Sequence, residues 1–231
     1  MNIHKDINLF RYAEQAQKLL CTEGVRFNHW GFPDLTEFKY PKEVPCDIEI
    51  WPYNKRNQAS NPKKTILTFF EADPLLYGYL NTLDKVTANL SLYYGVTGFD
   101  ISPCLDFSLQ EQKAALLLNS LTNGLFLLHG IRVIPSLRIG SVETSIGLKS
   151  YPRHVCYALG VLGCRQKHLT VGEQILELKL ALCEPSQVLA YGKFSKDDGK
   201  IFRKWGIPVL DVPDYQTRTR KKSEKRRRQD V

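Results

Sequence analysis

From residue 65 onward, short runs of apolar residues alternate with longer segments in which apolar residues recur at helical spacing. The apolar runs predict six strands, at residues 65–71, 95–101, 131–137, 155–162, 187–192 and 208–212. Helices are predicted at 75–92, 107–128 and 171–183, with weaker helical patterns at 141–149 and 196–205. Strands that are apolar on nearly every residue are typical of a parallel sheet covered on both faces. The pattern therefore predicts an α/β fold with a mainly parallel sheet of about six strands and crossover helices, either open and doubly wound or barrel-like.

The region before residue 65 is less regular. Residues 6–20 place apolar side chains at helical spacing and predict an amphipathic helix. Residues 47–53 alternate like a strand until Pro52, and residues 54–64 are polar throughout, which fits either an ordered surface loop or a mobile flap. We divide the chain into an N-terminal amphipathic helix (1–23), a single α/β domain (24–216) and a disordered basic tail (217–231).

The net charge of +8 is concentrated at the C-terminus. Residues 218–228, RTRKKSEKRRR, hold eight of the 32 Lys and Arg residues, and the last fifteen residues hold two of the 24 acidic ones. The rest of the chain has 24 basic and 22 acidic residues, a net charge of +2. The predicted folded body is therefore nearly neutral, and the positive charge belongs to the tail.

A tail of this composition predicts a nucleic-acid partner. It has no apolar anchors with which to fold, and it can bind polyphosphate by releasing counterions, with little base specificity. A solubility tail or an acidic protein partner are the alternatives. The predicted nucleic-acid-binding residues are Arg218, Arg220, Lys221, Lys222, Lys225, Arg226, Arg227 and Arg228.

Composition indicates a cytoplasmic protein without a membrane span. The N-terminus lacks a charged-then-apolar signal segment, and polar residues interrupt the most apolar region, 114–135. The six cysteines include no CxxC pair, which favours reduced thiols. Cys164 and His168 have a metal-like spacing, but two potential ligands do not make a site.

Polar side chains stand where the predicted strands end. They are Glu71, Asp73, Asp100, Ser102, Asp106, Arg138, Cys164, Arg165, Tyr191, Lys193 and Asp211. Because the ends of parallel strands meet at one edge of a sheet, these groups can converge on a ligand site. The alternative is that Asp100 and Ser102 cap the following helix while Arg138 pairs with a carboxylate.

Known phosphate-binding and nucleophile motifs are absent from the sequence: there is no GxGxxG after a strand, no GxxxxGK[ST] and no GxSxG. No cofactor is predicted, although Asp73, Asp100 and Asp106 could offer hard oxygen ligands to Mg²⁺, and the same acids could equally be salt-bridged. Asn119 and Asn123 lie one turn apart on an apolar helix, so either both face solvent or one supports Asp100 from inside the protein.

Several spaced motifs resemble a known family. They are WGFP (30–33), FFEAD (69–73), GFDIS (98–102), Asp106, Asn119, GIRVIPSLRIG (130–140), HVCYALGVLGC (154–164) and VLAYGK (188–193). In this order they resemble the domain of unknown function 4417, over roughly residues 24–212. The chain departs from that family's pattern at Phe99, Ile101, Ser120 and Ile139.

The resemblance implies a protein of phages, plasmids and integrative elements of bacteria, in a family that has no established activity. The family's recurring polar positions correspond here to Asp73, Asp100, Ser102, Asp106, Asn119, Arg138 and Tyr191.

Three functions follow as hypotheses. The first is a nucleic-acid-associated accessory protein of a mobile genetic element, held on DNA or RNA by its tail. The second is a metal-dependent hydrolase or phosphoryl-transfer enzyme resembling a nuclease, with Asp100, Asp106 and Arg138 as catalytic residues. The third is an interaction factor that engages a host defence or replication protein. The predicted substrate-binding residues are Asp73, Ser102, Asn119, Tyr191 and Lys193.

Overall fold

In the part of the chain that the structure describes, seven short strands, all parallel to their neighbours, form the centre of the molecule. A computed structural model of the protein describes residues 8–160, 172–193 and 195–220. The first sheet has the order β1-β2-β3-β4 and the second the order β5-β6-β7, so neighbours in sequence are neighbours in space. The strands are β1 (Glu49–Pro52), β2 (Thr65–Thr68), β3 (Gly95–Thr97), β4 (Val133–Ile134), β5 (Cys156–Gly160), β6 (Gln187–Tyr191) and β7 (Val209–Val212).

The parallel α/β class is confirmed, and the prediction of one sheet of about six strands is wrong, because the strands divide into a sheet of four and a sheet of three. The extra strand is β1, which ends at Pro52. Proline lacks the N–H that a central strand needs, but β1 lies at the edge of its sheet, where that loss is tolerated.

Two backbone hydrogen bonds join the sheets. Leu137 N donates to Ala158 O at 2.8 Å, and Ala158 N donates to Pro135 O at 2.7 Å, around an isolated parallel bridge between Ser136 and Ala158. Within the described ranges, no pairing connects β7 back to β1. The second sheet therefore continues the first at β4, and β1 keeps one unpaired edge.

Alternate strand residues enter two different hydrophobic cores. Ile50, Ile66 and Leu189 belong to a core whose described members come from strands and loops alone. Their neighbours Leu67 and Val188 belong to a larger core that includes helix residues. This alternation follows from the two-residue period of a strand, and it places the helices on one side of the sheets.

Besides a short helix at the end of the described chain, the described residues form six α-helices: α1 (Leu9–Thr22), α2 (Asp73–Leu80), α3 (Leu83–Leu90), α4 (Leu109–Leu128), α5 (Gly172–Cys183) and α6 (Lys196–Lys204). Residues Tyr53–Gln58, Pro62–Lys64 and Val142–Ser150 form 3₁₀ helices. The longest helix, α4, starts with a capping box in which Ser108 and Glu111 satisfy each other's backbone N–H groups. Leu20 of α1 is fully buried with Leu121 and Leu125 of α4, so the N-terminal helix packs on the body.

Some element limits differ from the sequence pattern. The helix predicted at 75–92 is broken into α2 and α3, because Thr82 has the non-helical φ of −132° and ψ of 35°. The strand predicted at 95–101 ends at Thr97, and the strand predicted at 131–137 covers Val133–Ile134. Side-chain hydrogen bonds from α4 take over the backbone of residues 99–101, which removes those residues from the sheet.

The last described residues, 215–220, form a short helix that is called here the terminal helix. Asp214 caps it: its Oδ1 accepts from Thr217 N at 2.8 Å and its Oδ2 from the Thr217 hydroxyl at 2.8 Å. The predicted domain boundary at residue 217 therefore falls inside this helix. Residues 221–231 lie outside the described part of the chain.

Candidate functional site

The candidate site is built around an ion pair between Asp100, which follows β3, and Arg138, which follows β4. Arg138 Nε donates to Asp100 Oδ1 at 2.9 Å, and Arg138 Nη2 donates to Asp100 Oδ2, so the contact is bidentate. The Asp100 side chain is 2% exposed and that of Arg138 is 18% exposed. The carboxylate is thus inside the protein, and the guanidinium connects it to the surface.

Burial dominates the electrostatics of this pair. Burial raises the pKa of Asp100 above its ordinary value, while the Arg138 guanidinium opposes that rise. The carboxylate of Asp73 raises the pKa further, and the ammonium of Lys179 on α5 lowers it. Three charged side chains from other parts of the chain therefore act on the Asp100 carboxylate.

Two asparagines on α4 hold the loop that carries Asp100. Asn119 Oδ1 accepts from Ile101 N at 2.8 Å, and Asn119 Nδ2 donates to Ile101 O at 2.9 Å. Asn123 Oδ1 accepts from Phe99 N at 2.8 Å, and Asn123 Nδ2 donates to Tyr151 Oη at 2.8 Å. Both asparagines are buried, so the interpretation in which they support the loop from inside holds for both. Asp100 lies between the two fixed residues.

Asp73 connects the start of α2 to the same loop. Its Oδ1 accepts from Ser102 N at 3.2 Å. Cys104 follows, and although burial is the main cause of its raised thiol pKa, the charges of Asp73 and Asp106 raise it too. Asp106 itself is exposed, and no hydrogen bond or ion pair joins it to Asp100 among the described residues. Asp73, Asp100, Ser102 and Arg138 thus form the compact part of the site, without Asp106.

Tyr191 is held by contacts other than those of the ion pair. Tyr191 is 1% exposed, its ring stacks on Phe70 with centroids 5.8 Å apart, and its hydroxyl oxygen accepts from Tyr215 N at 3.0 Å. Lys193 is exposed. Tyr191 therefore connects the core formed by strand and loop residues to the terminal helix. The position of Tyr191 at the end of a strand did not indicate this structural role.

The free space beside Arg138 is small. A cavity of about 20 Å³ lies between Asn119, Asn123, Ser136, Arg138 and Tyr151. This is room for about one water molecule. The polar groups that line it can hold such a water, but any larger ligand must approach Arg138 from the surface.

Three residues of this region had not been predicted from the sequence: Gln112, Tyr151 and Lys179. Gln112 is buried on α4, where its Nε2 donates to Phe107 O at 2.8 Å and its Oε1 accepts from Ser141 N at 2.7 Å. It thereby ties the segment after Arg138 to the start of α4. No motif marks these residues in the sequence, since each reaches the site from a distant element.

The terminal helix is attached at the free edge of β1. Arg218 Nη2 donates to Ile50 O, and its guanidinium carbon lies 4.7 Å from the centre of the Trp51 ring. The Tyr215 ring lies 5.9 Å from the same tryptophan ring. Of the predicted nucleic-acid-binding residues, Arg218 therefore contacts the body, and Arg220 is exposed at the end of the helix.

The remaining predicted arm residues lie outside the described part of the chain; they are Lys221, Lys222, Lys225, Arg226, Arg227 and Arg228. The strand-end candidates Cys164 and Arg165, together with His168, also lie outside it.

In the described part of the chain the potential metal ligands are not clustered and the cysteines are unpaired. Within residues 8–160, 172–193 and 195–220, no group of three or more His, Cys, Asp or Glu side chains is placed to share a metal ion. The cysteines of these ranges, Cys21, Cys46, Cys104, Cys156 and Cys183, are free thiols. None of the described helices has the length and apolar character needed to cross a membrane.

Comparisons with known proteins give no match to the chain, whether with family models, with curated proteins or with solved structures. The resemblance to the domain of unknown function 4417 therefore stays a prediction from motifs.

Proposed function

We propose that this protein binds nucleic acid through its C-terminal arm (residues 218–228), as a cytoplasmic accessory protein of a mobile genetic element. The observation that carries the proposal is the charge distribution: eight basic residues in eleven positions, attached to a body with a net charge of +2. The assignment to a mobile element rests on the resemblance to the domain of unknown function 4417.

The physical basis is the release of counterions from the phosphate backbone. Each phosphate that a Lys or Arg neutralises contributes about 0.9 to the slope of log K against log salt for duplex DNA. A nearly neutral body contributes little to this term. Binding through the arm is therefore expected to be strong at low salt, weak at high salt and only slightly dependent on base sequence.

The terminal helix supports a fixed starting point for the arm. Arg218 contacts Ile50 and Trp51, and Tyr215 contacts Tyr191 at the end of β6. An arm that begins at this helix starts beside the strand ends. Nucleic acid held by it would therefore lie close to the edge of the sheets that carries the candidate site.

We also infer that the seven strands curve into one barrel-like wall rather than a doubly wound open sheet. Three features support this: the sequential strand order, the hydrogen bonds between the sheets at Ala158, and a core whose described members include no helix residue. In such a wall all strand ends would share one rim. The Asp100–Arg138 pair and the terminal helix would then belong to the same rim.

The test compares the wild-type chain with an arm variant of full length. The six substitutions are Lys221→Gln, Lys222→Gln, Lys225→Gln, Arg226→Gln, Arg227→Gln and Arg228→Gln. Wild type is expected to lose roughly 10³-fold in affinity for a DNA duplex between 50 and 200 mM salt. The arm variant is expected to show a log–log slope smaller by up to about 5.

Equal affinity and equal salt slope in the two proteins would overturn the proposal. Single- and double-stranded DNA and RNA are tested side by side, because backbone binding predicts a smaller salt slope for single strands, about 0.7 rather than 0.9 for each neutralised phosphate. A strong preference for one base sequence would also contradict binding through the arm alone.

A hydrolase or phosphoryl-transfer enzyme is the second candidate, favoured by the buried Asp100 carboxylate with its raised pKa and its partner Arg138. With Mg²⁺ added, the wild-type protein should then cleave nucleic acid, and Asp100→Asn should abolish cleavage. Asp84→Asn, on the exposed surface of α3, is the matched control. Urea unfolding of each variant separates loss of chemistry from loss of fold, and a wild-type protein that yields no products rejects the enzyme hypothesis.

A further inference from the structure

A second basic segment lies next to the terminal helix. Residues 54–64, NKRNQASNPKK, form what is called here the basic loop, which contains four Lys and Arg residues and no acid. It runs from the end of β1 to the start of β2 through two 3₁₀ helices. Because β1 is the edge strand on which the terminal helix rests, the basic loop and the arm start from the same side of the molecule.

The basic loop is ordered by specific contacts. The Ser60 hydroxyl donates to Glu49 Oε1 at 2.5 Å, and Ser60 N donates to Glu49 Oε2 at 3.1 Å. At the start of the loop Asn54 N donates to Glu71 Oε1 at 2.8 Å, and near its end Pro62 O accepts from Tyr94 N at 3.0 Å. A loop held at its start, middle and end has a fixed backbone, so its backbone loses little conformational entropy on binding.

The terminal helix touches the basic loop directly, since Tyr215 Oη donates to Gln58 Oε1 at 3.4 Å. The Tyr215 ring also packs against Trp51, one residue before the end of β1. A polyanion engaged by the arm would therefore begin its path beside the basic loop.

Two of the four basic side chains are already engaged. Lys64 Nζ lies 2.7 Å from Asp47 Oδ2, and the Arg56 guanidinium carbon lies 4.6 Å from the centre of the Tyr53 ring. Lys55 and Lys63 form no ion pair with any other residue of the described ranges. Lys63 is exposed and Lys55 is half-buried. These two ammonium groups carry charge that the folded body does not neutralise.

We infer that the basic loop is a second contact for the nucleic-acid backbone, in which Lys55 and Lys63 bind phosphates of the same molecule that the arm holds. This inference rests on the proposed nucleic-acid function and extends it from the arm to the folded body. The order of the loop, its contact with Tyr215 and its two unneutralised lysines support it together. Phosphate is the expected partner because a point charge on a flexible stem suits phosphate without selecting a base.

The experiment measures duplex DNA binding against salt for four full-length proteins. They are wild type, the loop variant Lys55→Gln/Lys63→Gln, the control variant Lys18→Gln/Lys85→Gln, and the arm variant defined above. Lys18 and Lys85 are exposed on α1 and α3, and the control changes the net charge by the same amount as the loop variant. A general charge effect would therefore shift both double variants equally.

The loop variant is expected to lower the log–log salt slope by about 1 to 2 and to weaken binding several-fold at low salt. The control variant is expected to match wild type within about twofold. Identical behaviour of loop and control variants would overturn the role of the loop, while a reduced slope in the arm variant would still uphold the arm. If the arm variant binds like wild type, the proposed function and this inference both fail.

The same four variants of this protein also distinguish an acidic protein partner from nucleic acid. In that case neither lysine pair changes DNA binding, and the loop variant instead loses binding to poly-glutamate used as a probe. That result would overturn the assignment to nucleic acid.

Discussion

Asn119 helps to position Asp100 by holding the backbone of the residue that follows it. Its side-chain amide both accepts from and donates to the backbone of Ile101, and both residues are buried. It therefore replaces the two hydrogen bonds that a neighbouring strand would provide. A buried backbone group that loses its partner is costly, because it has also lost water.

The first prediction concerns this amide. Asn119→Ala leaves the Ile101 N–H and C=O without partners, so the free energy of unfolding should fall by about 2–4 kcal/mol. Urea unfolding followed by circular dichroism measures the change. Asn57→Ala, at an exposed position, is the control and should stay within about 0.5 kcal/mol of wild type. Equal stability of the two variants would contradict the bonds to Ile101.

The second prediction concerns Glu71, whose pKa burial raises above 4.5, although hydrogen bonds from Tyr79 and Asn54 oppose the rise. A raised pKa in the folded state favours the protonated form. Its contribution to stability is present below the unfolded pKa and is lost as the pH rises through the folded pKa. The unfolding free energy of wild type minus that of Glu71→Gln should therefore decrease from pH 4 upward and then become constant.

Urea unfolding between pH 4 and pH 8 tests this difference. Glu111→Gln provides a control of opposite sign, because hydrogen bonds from Ser108 hold the pKa of Glu111 below 4.5. The unfolding free energy of wild type minus that of Glu111→Gln should instead decrease as the pH falls. A Glu71 difference that rises with pH would show that the Tyr79 and Asn54 hydrogen bonds outweigh burial.

At the level of elements, the sequence pattern predicted the strand and helix order well, because each buried element carries its own local signal. The six strands predicted after residue 64 all exist, and α4, α5 and α6 begin and end close to the predicted limits. The end of β3 could not be predicted. It depends on Asn119 and Asn123, which lie about twenty residues further along the chain and compete with strand pairing for the same backbone groups.

For the candidate site, the sequence predicted which residues lie at one edge of the sheet but not which of them pair. That Asp73, Asp100, Ser102 and Arg138 share an edge follows from parallel strands, and the structure brings these four together. Which carboxylate Arg138 would choose does not follow, since Asp73 and Asp106 also stand at strand ends. The burial of Asp100, together with the reach of the Arg138 side chain, decides it, and both depend on packing between distant segments.

The terminal helix gives the third prediction. Arg218→Ala removes the hydrogen bond to Ile50 O and the contact with the Trp51 ring, so the helix should open more often. Amide hydrogen exchange at residues 218 and 219 should become roughly tenfold faster, which corresponds to about 1.4 kcal/mol. Gln216→Ala, an exposed position in the same helix, is the control. Unchanged exchange in the Arg218 variant would mean that the helix is held without this anchor.

For the whole molecule, the sequence could not predict how the strands divide into sheets. Strand number and order are local properties, but the division at β4 and β5 depends on Ser136 and Ala158 meeting across a single bridge. The length of β4, two residues, leaves too little pairing for one continuous ladder. Pro135, directly after β4, removes a further N–H donor from that junction.

Whether the N-terminal helix belongs to the folded unit is also a property of the whole molecule, and it gives the last prediction. The sequence placed residues 1–23 outside the α/β domain, yet Leu20 is fully buried against α4. A Cβ atom on Gly124 would lie 2.9 Å from Leu20 Cδ2, so the two helices are in close contact there. Leu20→Ala should therefore open a cavity and lower the free energy of global unfolding by about 2–5 kcal/mol.

The neighbouring Leu19 is 55% exposed and supplies the matched control, since Leu19→Ala removes the same atoms from the surface of the same helix. That variant should stay within about 0.5 kcal/mol of wild type. Tryptophan fluorescence and circular dichroism, followed in urea, should report one shared transition for the Leu20 variant if α1 and the sheets unfold together. Two separate transitions, with the later one at the wild-type midpoint, would show instead that α1 is an independent element resting on a domain that is stable without it.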